Sequence, residues 1–131
     1  MQRMRQMKKP CETEEDLKLF ESNGLKCAIV RHPEFKHLCG YVELPENHPW
    51  GLIEELTWDC PADVHGGITF DGVIPEIAGH VIGFDCIHAG DSAPGMLSYE
   101  LSEIHGDTYK TMLFVENECR KLAEQIRAAE K

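Results

Sequence analysis

The last 24 residues of the chain, "TYKTMLFVENECRKLAEQIRAAEK", place Tyr109, Met112, Val115, Cys119, Leu122 and Ile126 at intervals of three or four residues. That spacing is one apolar stripe on a 3.6-residue period, so the segment is expected to be an amphipathic helix of about five or six turns capped by Asp107 or Thr108. A stripe of this length needs a sheet or a second helix to cover it. The fold must therefore supply such a surface from the remaining residues.

Upstream, "LKCAIVRH" and "HLCGYVELP" are rich in apolar and β-branched residues and are separated by the turn-like "PEFK", which reads as a β-hairpin. "DVHGGITF" and "HVIGFDC" supply two further expected strands by alternation. The first sets Val64, Ile68 and Phe70 against Asp63, His65, Gly67 and Thr69; the second sets Ile82, Phe84 and Cys86 against Val81, Gly83 and Asp85. "TEEDLKLFESNG" reads as a short N-terminal helix, with Thr13 as cap, Leu17 and Phe20 on one face, and Asn23-Gly24 as the stop. Two prolines and a glycine in "PENHPWG" break regular structure, and "LIEELTWDCPA" fits either a short helix or an irregular crossover. Residues 89–107 form a long loop with at most one short element, the kind of segment that often carries function. The expected class is α+β: a small, mainly antiparallel sheet of about four strands packed by an N-terminal helix and a long C-terminal helix. Residues 1–10 form a basic tail and 11–131 one domain.

Charge narrows the partners. The net charge is −10, yet Arg3, Arg5, Lys8 and Lys9 all lie in the first ten residues, so the remainder carries about −14. Such a surface repels a phosphate backbone, which argues against duplex nucleic acid as a partner. No apolar run approaches a membrane span, and the basic N-terminus lacks the apolar core of a secretory signal. A cytoplasmic location with reduced thiols follows as an expectation. With no CxxC pair among the six cysteines, they read mainly as small core residues. Cys86 alternates toward the core rather than toward a site. The histidines at 32, 37 and 48 are expected in surface turns, and those at 80 and 105 beside loops.

Chemistry concentrates in "DVHGGITFDG" and "GFDCIHAGD". With both strands in one sheet, Asp63, His65, Thr69 and Asp85 point to the same face, while His88 and Asp91 follow at the end of the second strand. Imidazole beside carboxylate is the minimum set for acid–base work, so His65 is the candidate proton carrier, with Asp63 or Asp85 as its orienter. Gly66 and Gly67 leave backbone open to a ligand; Thr69, His88 and Asp91 line the same end. Tyr41 and Trp50 are candidate stacking walls for a base or sugar ring. A divalent metal on His65, Asp85, His88 and Asp91 is a further reading, although no standard zinc spacing occurs; chemistry without any cofactor is the other. Tight turns with Asp71 or Asp91 as hydrogen-bonding turn residues form the plain alternative.

"CGYVELPENHPWG", "DVHGGITFDG", "IGFDCIHAGD" and "YKTMLFVENECRKLAEQI", in this order, resemble a widespread family of small, mostly uncharacterised proteins of tailed bacteriophages and prophages. The resemblance spans residues 25–127 and departs at "LIEELTWDCPA", where an acidic, tyrosine-rich stretch is expected. It implies a phage or prophage origin and the host cytoplasm. Small phage accessory proteins often act against bacterial defence by degrading or sequestering a nucleotide immune signal, so the resemblance makes such a nucleotide the expected ligand. It would be hydrolysed by His/Asp chemistry at a phosphodiester or related bond, or sequestered intact. Direct inhibition of a host protein is the third expectation, and a homodimer is compatible with the sequence.

Overall fold

The computed structural model describes residues 10–130. The elements follow the order α1 (Pro10–Thr13), β1 (Leu17–Ser22), β2 (Leu25–Arg31), β3 (Leu38–Glu43), a 3-10 turn (Pro49–Leu52), α2 (Leu56–Asp59), β4 (Phe70–Ile74), β5 (Ile77–Asp85), α3 (Tyr99–Ile104) and α4 (Met112–Ala128). The architecture is α+β, with an antiparallel five-stranded sheet in the order β1-β2-β3-β5-β4. The basic tail at 1–9 lies outside the described residues. Among those described, no helix is long and apolar enough to cross a membrane.

The N-terminal helix expected at Thr13–Gly24 is instead β1. Asn23 (φ 53) and Gly24 (φ 74) both adopt the left-handed region, which makes them the two-residue turn of a β1–β2 hairpin. The Leu17/Phe20 spacing fits a helix face, but the residues alternate. Phe20 turns toward α4, where the Arg120 guanidinium lies 4.9 Å from its ring centre, while Leu19 pairs with Ala28 on the opposite face. Asn-Gly between two apolar segments is the hairpin signal, and the cross-strand pairing outweighs local helix propensity.

The hairpin read at "LKCAIVRH" and "HLCGYVELP" is β2–β3, and the strand read at "HVIGFDC" is β5, which starts earlier at Ile77 and ends at Asp85. The strand read at Asp63–Phe70 is irregular until Phe70: Gly66 (φ 70) and Gly67 (φ 79) form a turn closed by Gly67 N–H to Val64 carbonyl at 2.8 Å. Two consecutive left-handed residues cannot continue a strand. Val64 and Ile68 are buried in the main core, but Phe70, expected on the same face, packs with Tyr41 on the opposite side of the sheet, because the turn at Gly66-Gly67 breaks the alternation. "LIEELTWDCPA" contains the single turn of α2, and residues 89–107 contain only α3.

α4 covers one sheet face, where Val115, Cys119, Leu122 and Ile126 meet Ile29, Leu38, Val42, Ile82 and Phe84 in the main core. Its cap is Thr111, whose hydroxyl accepts Phe114 N–H at 3.1 Å; Asp107 and Thr108 precede it, and Tyr109 stands before the helix. Tyr109 instead donates to Glu14 at 2.8 Å and accepts from Arg31 Nη1 at 2.7 Å, helping to hold a guanidinium that is nearly buried. The opposite sheet face carries a small cluster of Ala28, Ile77 and Val81, with Tyr41 and Phe70 packed edge to face at 5.3 Å. Two histidines expected at the surface are buried: His37 (4% exposed) and His48 (3%). His48 accepts Trp50 N–H at Nδ1 and donates from Nε2 to the Ile126 carbonyl, so it ties the 3-10 turn to the end of α4.

α4 approaches the sheet closely enough that a Cβ at Gly40 would fall 2.6 Å from the Phe84 ring and 2.8 Å from Cys119 Sγ. Gly40→Ala is expected to lower unfolding free energy by about 1–3 kcal/mol through overpacking, measured by urea denaturation.

Candidate functional site

The site forms where β5 ends. Beyond Asp85 the chain stays paired for one more residue, Cys86 N–H donating to the Leu38 carbonyl at 3.1 Å, and then turns through His88 and Gly90 (φ 92). Asp91 N–H closes this turn on the His88 carbonyl at 2.9 Å, and Asp91 bridges Thr108 just before α4. The 63–69 segment arrives from the other side and is clamped to α4. Gln125 exchanges two hydrogen bonds with the Asp63 backbone, and Glu118 accepts His65 N–H at 2.8 Å. Three loops and the start of α4 therefore converge on one corner of the fold.

At its centre the Asp91 side chain is fully buried. Its carboxylate accepts from His65 Nε2 at 2.8 Å, His88 N–H at 3.0 Å and Lys110 Nζ at 2.8 Å. Burial by itself pushes this carboxyl up. The hydrogen bonds from Lys110, His65 and the His88 backbone outweigh it and hold Asp91 below the usual carboxylate range. An ionised carboxylate only accepts, so His65 must carry its proton on Nε2, and its Nδ1 is the free, proton-accepting nitrogen. The His65 ring is braced edge to face by Phe114 at 5.2 Å. Asp91 is thus the orienter of His65. Asp63 does not fill that role, since its side chain is exposed and its backbone serves the Gln125 clamp; Asp85 serves the other imidazole.

His88 forms the second pair. Its Nε2 lies 2.9 Å from Asp85 Oδ1, an ion-pair distance, but off the line of a hydrogen bond. Asp85 is fixed in turn by Thr69 hydroxyl at 3.0 Å and Ile87 N–H at 3.3 Å. The His65 and His88 rings stand 6.0 Å apart at 72°. Gly66 packs directly on His88, where a Cβ would fall 2.2 Å from the ring, whereas Gly67 faces open space.

The four candidate metal ligands are divided into these two pairs. Among the described residues no group of three or more His, Cys, Asp or Glu is placed to hold a metal ion. Tyr41 lies on the open sheet face with Phe70 and feels the Asp85 charge. Trp50 belongs to the core and packs edge to face on His48 at 5.2 Å. Burial pushes the Cys86 thiol well up, as expected of a core cysteine, and Cys27 and Cys119 are buried with it.

Lys110, Phe114 and Glu118 complete the corner, and nothing in the sequence pattern marks them as site residues: they sit on or just before a helix whose periodicity advertises only its apolar stripe. A cavity of about 380 Å³ lies elsewhere, lined by Glu43, Glu46, His48 and His80 among others. Its His48 has both ring nitrogens engaged within the fold. The corner around Asp91 instead presents a free imidazole nitrogen held by a buried carboxylate.

Set against protein-family models, curated proteins and solved structures, the chain has no match. The functional reading therefore rests on the site.

Proposed function

We propose that this corner is an acid–base site that hydrolyses a phosphodiester or related bond in a nucleotide ligand. The observation that carries the reading is the buried Asp91 carboxylate on His65 Nε2, which fixes the tautomer and leaves Nδ1 as the proton acceptor. His88, 6.0 Å away and backed by Asp85, is the second proton carrier that such a reaction needs for its leaving group. Thr69 positions Asp85, and Lys110 balances the Asp91 charge, so that His65 works beside a fixed carboxylate in a strongly acidic protein. Taken with the resemblance to phage and prophage proteins, the proposed setting is counter-defence, with the nucleotide as an immune signal.

Purified protein incubated with cyclic dinucleotides and ADP-ribose-type nucleotides, with and without EDTA, is expected to convert at least one of them. His65→Asn should lower kcat/KM by about 10²- to 10⁴-fold. An unchanged ligand panel would sink the catalytic reading. Sequestration without turnover is the second reading, favoured by the edge-to-face Tyr41–Phe70 pair beside Asp85, which offers ring surface for a base. It predicts intact ligand released on heat denaturation.

A further inference from the structure

α3 contains no buried residue. Leu97, Leu101 and Ile104, four and three positions apart, are each more than half exposed, so a short apolar stripe at helical spacing stands open to solvent. Single exposed leucines are ordinary, but a helix of six residues draws its stability from packing, and the apolar side of this one meets none. Carboxylates edge the stripe. Glu100, Glu103 and Asp107 lie on or just after α3, and residues 92–109 contain no lysine or arginine. The cations of the fold are committed elsewhere: Lys18 and Arg120 to Glu116, Arg31 to Glu14 and Asp16, Lys110 to Asp91, Lys121 to Glu118, and Arg127 to Glu130.

One run of the sequence has the opposite character. Residues 1–9, "MQRMRQMKK", carry Arg3, Arg5, Lys8 and Lys9 with no acidic residue, and set Met1, Met4 and Met7 at every third position. Methionine is unbranched and adapts to irregular apolar surface, so the run matches the stripe in both charge and apolar content. It also joins the fold at the right place. Glu14 accepts the Tyr109 hydroxyl and Met112 N–H, each at 2.8 Å, which pins the chain that follows residues 1–9 to the stretch just beyond α3. Nine residues reach at most about 30 Å. A helix of six residues is only about 9 Å long, so the run can pass back along all of it.

We propose that the acidic-edged stripe of Leu97, Leu101 and Ile104 is the docking surface for this chain's own residues 1–9, with Met4 and Met7 against the apolar side chains and the basic residues beside Glu100, Glu103 and Asp107. The docked run is a strap on the loop that carries α3. That loop borders the site, because Ser92 N–H donates to the Thr108 carbonyl at 2.8 Å and Thr108 N–H to the Gly90 carbonyl at 2.9 Å, on either side of Asp91. The docking does not depend on turnover there.

Methyl NOE spectra of the labelled full chain test it. The Met4 and Met7 ε-methyls are expected to give cross-peaks to the methyls of Leu97, Leu101 and Ile104, weakening as salt is raised to about 0.5 M. Leu101→Lys, at an exposed position, is expected to abolish these cross-peaks, and Arg3→Glu combined with Arg5→Glu to weaken them strongly. Unchanged shifts of the α4 core methyls show that the variants are folded. If Leu101→Lys does not fold, the charge-reversed double variant takes its place. Absence of the cross-peaks in the unsubstituted protein overturns the proposal, and so do cross-peaks that survive Leu101→Lys. Cross-peaks that pass between differently labelled copies in a mixed sample give the stripe to a second copy and also overturn it.

Discussion

Asp91→Asn is expected to cost about 3–5 kcal/mol of stability and to abolish most site chemistry, because one carboxylate organises three partners at once. Its oxygens hold His65 Nε2, the His88 backbone N–H and Lys110 Nζ, and the side chain is fully buried while that of Lys110 is only 16% exposed. The amide keeps the shape but removes the charge, so the Lys110 ammonium is left in a nearly enclosed place without its counter-ion. An amide also presents a donor where His65 and Lys110 both need an acceptor. His65 would then lose its fixed tautomer, and turnover should fall by about 10²- to 10⁴-fold. The pH dependence gives a separate readout. Asp91 has a depressed folded-state pKa, so its contribution is fully present above the unfolded carboxylate range and is lost as pH falls through the folded value. Unfolding curves of the unsubstituted protein should therefore steepen below about pH 4, and those of Asp91→Asn should be flatter there. Equal acid sensitivity of the two proteins would show that Asp91 is not held ionised by its partners.

The parts of this fold that were legible in the sequence are those set by long apolar periodicity. The α4 stripe and the apolar, β-branched β2 and β3 segments bury many residues each, so the pattern and the packing agree. The N-terminal segment was misread because Leu17 and Phe20 satisfy a helical spacing as well as strand alternation; only the Asn-Gly turn, with both residues left-handed, distinguishes the two. The site was legible in composition and not in pairing. His65, Asp85, His88 and Asp91 do converge, but which carboxylate serves which imidazole depends on the turn at Gly90 and the bridge from Asp91 to Thr108. A contact between residues 26 apart, as in His65–Asp91, has no local signature. His37 was hidden for a related reason. The neighbouring Pro33 and charged residues suggest a surface turn, whereas the 91–95 loop folds back on the 35–37 segment: Ala93 is buried and Gly95 N–H donates to the Phe35 carbonyl at 2.8 Å.

Substitution of the two adjacent glycines separates backbone strain from site geometry. Gly66→Ala and Gly67→Ala each put a Cβ on a left-handed residue, at φ 70 and φ 79, and each should lose about 1–2 kcal/mol for that reason alone. They differ in what the new methyl meets. At 67 there is nothing within 4 Å, so strain is the whole effect. At 66 the methyl would fall 2.2 Å from His88 Cδ2 and 2.3 Å from Nε2, a separation that forces the imidazole away from Asp85. Gly66→Ala is therefore expected to be the less stable of the two and to lose turnover or ligand binding, while Gly67→Ala retains both. Melting temperatures and kcat/KM on the same converted nucleotide provide the comparison. If the two variants lose stability equally and both stay active, His88 is not held against Asp85 by Gly66, and the second proton carrier must be sought elsewhere. If only Gly66→Ala is inactive, the loss is assigned to the position of His88, because the shared backbone strain cancels between them.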